Sequence, residues 1–144
     1  MPSSVSDFGT ETWLGVLLGI NPPIAGYWVA LCSDEPGLGA DGTILVELEP
    51  TNPDYARQYY PAGELSWGLN GASVTNLDEI DFGTPSADWG PVGFYALCDS
   101  STDGEFYAVG EFANPQVVTA GYAMVIPPGG IVLSLASQDD SITL

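Results

Sequence analysis

The part of the chain that most constrains its fold runs from Asp88 to Phe112, with the sequence DWGPVGFYALCDSSTDGEFYAVGEF. Two apolar runs, Val92–Cys98 and Glu105–Phe112, flank the polar segment Asp99–Gly104. Apolar, β-forming residues on both sides of a short polar connection that contains glycine predict a β-hairpin. Strict alternation predicts one shared face on the returning strand for Phe106, Ala108, Gly110 and Phe112.

Short strands and turns are also predicted along the rest of the chain. Gly26–Cys32 is almost continuously apolar, which is typical of a central strand buried on both faces. Thr43–Glu49 and Tyr55–Tyr60 are expected to be strands, and Pro61–Asn76 an irregular excursion or a short strand. The predicted fold is all-β, an antiparallel β-sandwich or jelly roll of about eight strands with one short N-terminal helix.

The single predicted helix lies within residues 8–20. Thr10 is the expected N-cap, and the helix is expected to end at Gly19, before the Asn21-Pro22-Pro23 stop. Residues 1–144 are predicted to form a single β-sandwich domain, in which residues 137–144 are a polar tail.

The charge balance excludes several classes of partner. The chain has 19 acidic residues, one basic residue, Arg57, and a formal net charge of −18. Nucleic-acid binding and attraction to anionic membranes both depend on lysine and arginine, so neither is expected. No targeting segment or transmembrane span is apparent.

Catalysis and cofactor binding are not expected either. The chain has no histidine and no lysine, which removes nucleophilic chemistry based on either residue and zinc sites that need histidine. A pair of carboxylates remains, but 19 acidic residues make such a pair unspecific. Cys32 and Cys98 both lie in apolar runs, which favours buried free thiols over a disulfide.

One segment resembles the first half of a calcium-binding loop. Asp99, Ser101 and Asp103 alternate and Gly104 follows, as in such loops. The twelfth position is Gly110, where a bidentate glutamate is required. Hairpin-turn chemistry explains these residues without a metal, so no metal site is predicted, and these three residues are the only candidates.

Several large or charged residues are candidates for protein–protein contacts. Arg57 is expected to pair with a carboxylate, in its own chain or in a neighbouring subunit. Tyr59, Tyr60, Trp67 and Trp89 supply either core and interface area or a sugar-stacking platform. The predicted interface residues are Trp13, Leu14, Leu17, Arg57, Tyr59, Tyr60, Trp67 and Trp89.

Five segments carry a resemblance to a known family. They are Tyr27–Pro36, Tyr55-Ala56-Arg57-Gln58, Ile80-Asp81-Phe82, Ala87–Asp99 and Phe106–Gly110. Together they resemble small virion proteins of tailed bacteriophages, which are described as structural, tail-fibre-like or minor tail proteins. The resemblance spans roughly residues 10 to 135.

This resemblance implies a β-sandwich on the virion exterior that has no catalytic site. The protein is expected to form a homo-oligomer, namely a homotrimer, and to contact major capsid or tail proteins. The predicted function is a capsid decoration (cement) protein. The alternatives are a minor tail or tail-fibre-associated virion protein, or a carbohydrate-binding adhesion module. Cys98, the acidic surface and a longer Leu48–Ala62 region depart from the family pattern and leave head or tail location open.

Overall fold

A computed structural model describes residues 3–37 and 45–134 of the chain. These residues form ten strands and one helix. In chain order the elements are β1 (Ser3–Val5), α1 (Asp7–Leu17), β2 (Gly26–Cys32), β3 (Gln58–Pro61), β4 (Trp67–Asn70), β5 (Ser73–Asn76), β6 (Ile80–Asp81), β7 (Gly90–Cys98), β8 (Phe106–Val118), β9 (Val125–Ile126) and β10 (Val132–Ser134). The predicted all-β class with one short N-terminal helix is confirmed. The predicted tail, residues 137–144, lies outside the described residues.

Three antiparallel sheets make up the sandwich. The largest has the strand order β1-β8-β7-β2-β3, the second has the order β10-β5-β4, and β6 pairs with β9. The predicted hairpin is the centre of the large sheet, where β7 and β8 pair from Gly90 with Val118 to Cys98 with Phe106. The central position predicted for Gly26–Cys32 is confirmed, because β2 lies between β7 and β3.

The main core lies between the large sheet and the two smaller ones. Val29 and Leu31 of β2, Tyr95 and Leu97 of β7, and Ile126 of β9 belong to one buried cluster. Burial of apolar side chains of this size contributes roughly 1.5–3 kcal/mol each. The hydroxyl of Tyr95 also links the sheets, since it donates to the carbonyl of Val132 at 2.8 Å and accepts from its N–H at 3.1 Å.

The opposite face of the large sheet is covered by residues 45–49. Leu45 is fully buried in a second cluster formed with residues of β2, β7 and β8. The N–H of Leu48 donates to the carbonyl of Leu45 at 2.9 Å, which is the bond of a helical turn. The strand predicted over Thr43–Glu49 is therefore wrong at the residues that are described. Leu45 and Leu48 both reach the sheet at three-residue spacing, which a strand does not provide.

A bulge changes the two faces of β8. Leu97 pairs with Ala108 whereas Cys98 pairs with Phe106, so Tyr107 has no partner in the ladder. Phe106 consequently packs in the second cluster, while Phe112 packs in the main core. The prediction that both share a face is wrong, because an extra residue in one strand reverses the alternation beyond it.

The stretch predicted to be irregular contains a hairpin instead. β4 and β5 pair from Trp67 with Asn76 to Asn70 with Ser73. Gly71 occupies the turn with a φ of 64°, a conformation that glycine adopts without steric cost. This hairpin forms, with β10, the smaller sheet that covers one end of the main core.

Helix α1 is capped by Ser6, not by Thr10 as predicted. The Oγ of Ser6 accepts a hydrogen bond from the N–H of Gly9 at 2.9 Å, and it also contacts the carbonyl of Phe106. Thr10 lies within the first turn, where its N–H donates to the Ser6 carbonyl. The predicted end of the helix is confirmed, since Gly19 follows it with a φ of 75°. The cap thus fixes α1 directly to the start of β8.

We expect Gly9→Ala to destabilise the protein, although alanine is the better helix former by up to about 1 kcal/mol. A Cβ at this position would overlap the backbone of Tyr107, which cannot move without displacing β8. Overpacking of this kind costs about 1–3 kcal/mol. Urea unfolding of Gly9→Ala and of the control Gly37→Ala, whose Cβ would meet no atom of the described residues within 4 Å, measures the difference. Equal midpoints would contradict the close approach of α1 and β8.

Candidate interaction surfaces

Arg57, the only basic residue of the chain, lies inside the protein. It is 4% exposed, and its partner Glu49 is 9% exposed. The Nη2 of Arg57 lies 2.7 Å from Oε1 of Glu49, and its Nε lies 3.1 Å from Oε2. Such a forked pair is the strong form of the interaction between guanidinium and carboxylate groups. The predicted pairing with a carboxylate is confirmed, and the carboxylate belongs to the same chain.

Tyr55 extends this ion pair to strand β2. Its hydroxyl donates to Oε2 of Glu49 at 2.6 Å and accepts from the N–H of Leu31 at 3.0 Å. Burial and the nearby carboxylate raise the pKa of Tyr55, which stays neutral as a donor. Burial opposes the charge of Arg57, but the hydrogen bonds with Glu49 raise its pKa. The segment Tyr55-Ala56-Arg57-Gln58, which carries part of the family resemblance, therefore stabilises the fold through the bonds of Tyr55 and Arg57 with Glu49 and β2.

The guanidinium of Arg57 also closes the loop that resembled a calcium site. Its Nη1 donates to the carbonyl of Ser100 at 2.8 Å and to that of Asp103 at 3.1 Å. The carboxylate of Asp99 accepts from the N–H of Glu105 at 2.8 Å. Within residues 3–37 and 45–134, no three or more acidic or cysteine side chains are grouped as a metal site requires. The backbone carbonyl oxygens of Ser100 and Asp103 thus accept hydrogen bonds from the guanidinium of Arg57.

Cys32 and Cys98 are both buried free thiols, as predicted. Burial raises the pKa of Cys98 to about 12, although Arg57 opposes the rise. Burial also raises the pKa of Cys32. Burial and the nearby charge of Asp99 together raise the pKa of Tyr107 to about 12. These three groups are therefore neutral and unreactive near neutral pH.

We expect the protein to lose stability at alkaline pH. An acid whose pKa is higher in the folded than in the unfolded state contributes its full stabilisation only at a pH below the unfolded pKa. For the thiol of Cys98 the unfolded pKa is 9.0. As pH rises from there to the folded value, the free energy of unfolding falls by about 1.4 kcal/mol per pH unit for this one group. Urea midpoints between about pH 8 and pH 11 test this, with Cys98→Ala as the variant whose slope should be smaller. A flat profile would contradict the burial of the thiols.

The four aromatic residues considered as a sugar platform do not form one exposed surface. Tyr60 and Trp89 are buried in the main core. The Nε1 of Trp89 donates to the carboxylate of Asp54 at 2.9 Å. The ring of Trp67 packs edge-on against Tyr60. Tyr59 is exposed and packs against Trp28. Among the four, only Tyr59 and Trp67 retain surface for a ligand.

The predicted interface residues thus divide into two groups. Arg57, Tyr60 and Trp89 are buried within the chain, where the core and the ion pair account for them. Leu14 and Leu17 are 52% and 75% exposed at the C-terminal half of α1, and the exposed Leu18 and Ile20 continue the same apolar patch. Interface roles remain predictions for Trp13, Leu14, Leu17, Tyr59 and Trp67.

A groove that the sequence did not reveal opens between the two main sheets beside α1. Its volume is about 600 Å³. Trp13 stacks on Tyr107 with 5.9 Å between the ring centroids, and it meets Tyr27 edge-on. Trp67, Leu69 and other residues of the smaller sheet form the opposite wall. These residues are far apart in the sequence, and each also fits an ordinary core position, so no local pattern identifies the groove.

The surface around these features is acidic. Every described acidic residue except Glu49 is at least partly exposed, whereas Arg57 is buried. The described surface therefore presents carboxylates and apolar groups but no cationic side chain. No helix in the described part of the chain has the length and hydropathy needed to cross a bilayer.

A family comparison identifies the class of protein. The profile of the podophage GP4 fiber I protein gp80 family matches residues 4–134, which is nearly the whole chain. The chain belongs to this family. Like the other proteins of the fiber I gp80 family, it is a structural protein of a tailed-phage virion, and its location is the virion. A comparison with curated proteins gave no match.

Proposed function

We propose that this protein is a non-enzymatic structural subunit of the tail-fibre apparatus of a tailed bacteriophage. The observation that carries the proposal is the match of residues 4–134 to the fiber I family. This match favours the tail-fibre alternative over the capsid decoration function predicted first, because the family description names a fibre and no capsid protein.

The structure supports a role in contacts, not in chemistry. The buried charges of Glu49 and Arg57 neutralise each other, and the raised pKa values other than that of Arg57 belong to tyrosine and cysteine side chains packed in the interior. Perturbed groups of this kind mark structure when they are enclosed and paired. The apolar patch on α1, by contrast, is exposed and suited to a protein interface.

The proposal includes assembly with major capsid or tail proteins and with further copies of the chain, as a homotrimer. Copies with a net charge of −18 repel one another, so self-association should strengthen as salt screens this repulsion. Sedimentation velocity at low and high NaCl, with Leu14→Ser/Leu17→Ser as the interface variant, measures it. A strict monomer at all salt concentrations would remove the homo-oligomer from the proposal.

Deletion of the gene from the phage tests the location on the particle. We expect deletion particles to retain filled heads and to lack one set of tail appendages in cryo-electron microscopy, with reduced adsorption to the host. Wild-type particles should contain the protein, and heads without tails should not. Its presence on isolated tailless heads would instead support capsid decoration, and its absence from wild-type particles would overturn the virion role.

A further inference from the structure

Among the described residues, the groove beside α1 is an open, apolar site. Its lining residues carry no charged side chain, and two serines are the only aliphatic hydroxyls among them. Leu69, a lining residue, is 84% exposed, and Leu65, two residues after the lining residue Gly63, is also exposed. A small molecule inside the groove would leave these leucines in water, whereas a protein segment lying across the mouth would cover them.

The indole of Trp13, a lining residue, has its polar atom enclosed by the protein. The Nε1 of Trp13 is buried and forms no hydrogen bond among the described residues. Burial raises the pKa of Tyr27, and the neighbouring side chain of Trp13 opposes this rise. The N–H of Trp13 and the hydroxyl of Tyr27 are nevertheless not in hydrogen-bond geometry. A buried donor left without an acceptor costs about 1–3 kcal/mol. Because this atom has almost no accessible surface, it belongs to the packed wall of the groove, and the contacts open to a bound segment are the apolar side chains.

The charges near the groove indicate what kind of segment binds. Glu64 follows the lining residue Gly63, Asp7 lies two residues after the lining residue Val5, and both acids are exposed. We propose that the groove binds an apolar segment of a different virion protein, one that is flanked by lysine or arginine residues. This inference rests on the proposed function, since it names a partner for a structural subunit.

A second copy of the chain does not fit this description. The only basic residue of a copy is Arg57, which is bound to Glu49 in the interior. A copy at the groove would bring further carboxylates towards Glu64, and like charges in an interface are unfavourable. The cations that complement this surface must therefore come from another protein.

Synthetic peptides test the groove with the purified full chain. The probe is a fluorescein-labelled peptide with a Leu-Phe-Leu core and two lysines on each side. The comparison peptides have the same core between glutamates, or a Gly-Ser-Gly core between lysines. We expect saturable binding, measured by fluorescence anisotropy, for the first peptide only. Its affinity should fall as NaCl is added and in the variant Glu64→Gln.

Two variants locate the binding in the groove. Ala62→Trp places a large ring in the groove and should weaken binding of the lysine-flanked peptide by at least about tenfold. Ala87→Trp is the matched control, because Ala87 is an exposed loop residue outside the groove, and it should bind as the parent does.

Three results would overturn the proposal. The first is equal binding of the lysine-flanked and glutamate-flanked peptides. The second is unchanged binding of the lysine-flanked peptide by the Ala62→Trp variant. The third is self-association that Ala62→Trp abolishes, which would assign the groove to a second copy. None of them bears on whether the protein is present in the tail of the virion. Absence from particles would refute the proposed function while leaving the peptide result as a property of the chain.

Discussion

Arg57→Met is expected to lower the free energy of unfolding by about 3–5 kcal/mol, the usual cost of breaking a buried ion pair. The substitution leaves the carboxylate of Glu49 buried, with Tyr55 as its remaining donor. It also removes the donor to the carbonyls of Ser100 and Asp103, so the β7–β8 loop loses its hydrogen bonds to the segment that leads into β3. Urea unfolding followed by tryptophan fluorescence measures the change.

A double-mutant cycle separates the pair from its surroundings. Glu49→Leu alone leaves an unpaired guanidinium in the interior and should cost a similar amount, about 3–5 kcal/mol. The double variant Arg57→Met/Glu49→Leu removes both charges, and we expect its loss to be clearly smaller than the sum of the single losses. Losses below about 1 kcal/mol for the single variants would mean that the pair is solvated, as surface ion pairs are.

Tyr95→Ala is expected to destabilise the protein by about 3–5 kcal/mol, since it empties a large, fully buried site in the main core. The ring packs against Phe112 with 5.1 Å between centroids and lies over the backbone of Gly110, where a Cβ would overlap it. Its hydroxyl is the hydrogen-bonded link from β7 to β10. The residue therefore joins the two main sheets.

Tyr95→Phe isolates the contribution of the hydroxyl. The variant keeps the ring but leaves the N–H and carbonyl of Val132 without this partner, at a cost of about 1–3 kcal/mol. Tyr122→Phe is the matched control: Tyr122 is 73% exposed, and the same change should stay within about 0.5 kcal/mol. Equal effects of the two Tyr→Phe changes in urea unfolding would show that the Tyr95 link does not stabilise the sandwich.

Local sequence signals predicted the centre of the fold. The apolar runs around Asp99–Gly104 are long enough to mark β7 and β8, and Gly26–Cys32 is apolar enough to mark a central strand. The same signals are weaker in β4 and β5, whose sequences WGLN and SVTN contain few β-forming residues. That hairpin depends on packing against the large sheet, which no short window contains.

Other errors came from interactions between distant parts of the chain. Thr10 directly precedes the apolar run and is therefore the N-cap that the local sequence favours, whereas the observed cap Ser6 also contacts β8. The exchange of faces between Phe106 and Phe112 follows from a bulge, which depends on the pairing of two strands and not on either sequence alone.

The candidate surfaces were only partly predictable. Side-chain type predicts interface roles for Leu14 and Leu17, which are both exposed, and these roles stay predictions. It could not decide whether Arg57 pairs inside or outside the chain, because the answer depends on how the loop carrying Glu49 folds over the sheet. The groove is formed by residues from several strands and α1, so only the three-dimensional structure reveals it.

The burial of Arg57 has a practical consequence for handling the protein. Trypsin cleaves only after lysine and arginine, and the chain offers it a single such site, the bond between Arg57 and Gln58. The intact molecule should therefore resist this protease, and the denatured chain should give two fragments, residues 1–57 and 58–144. The digestion rate would then report directly on how often the ion pair opens. Amine-reactive dyes, which find no lysine here, would leave every side chain unmodified.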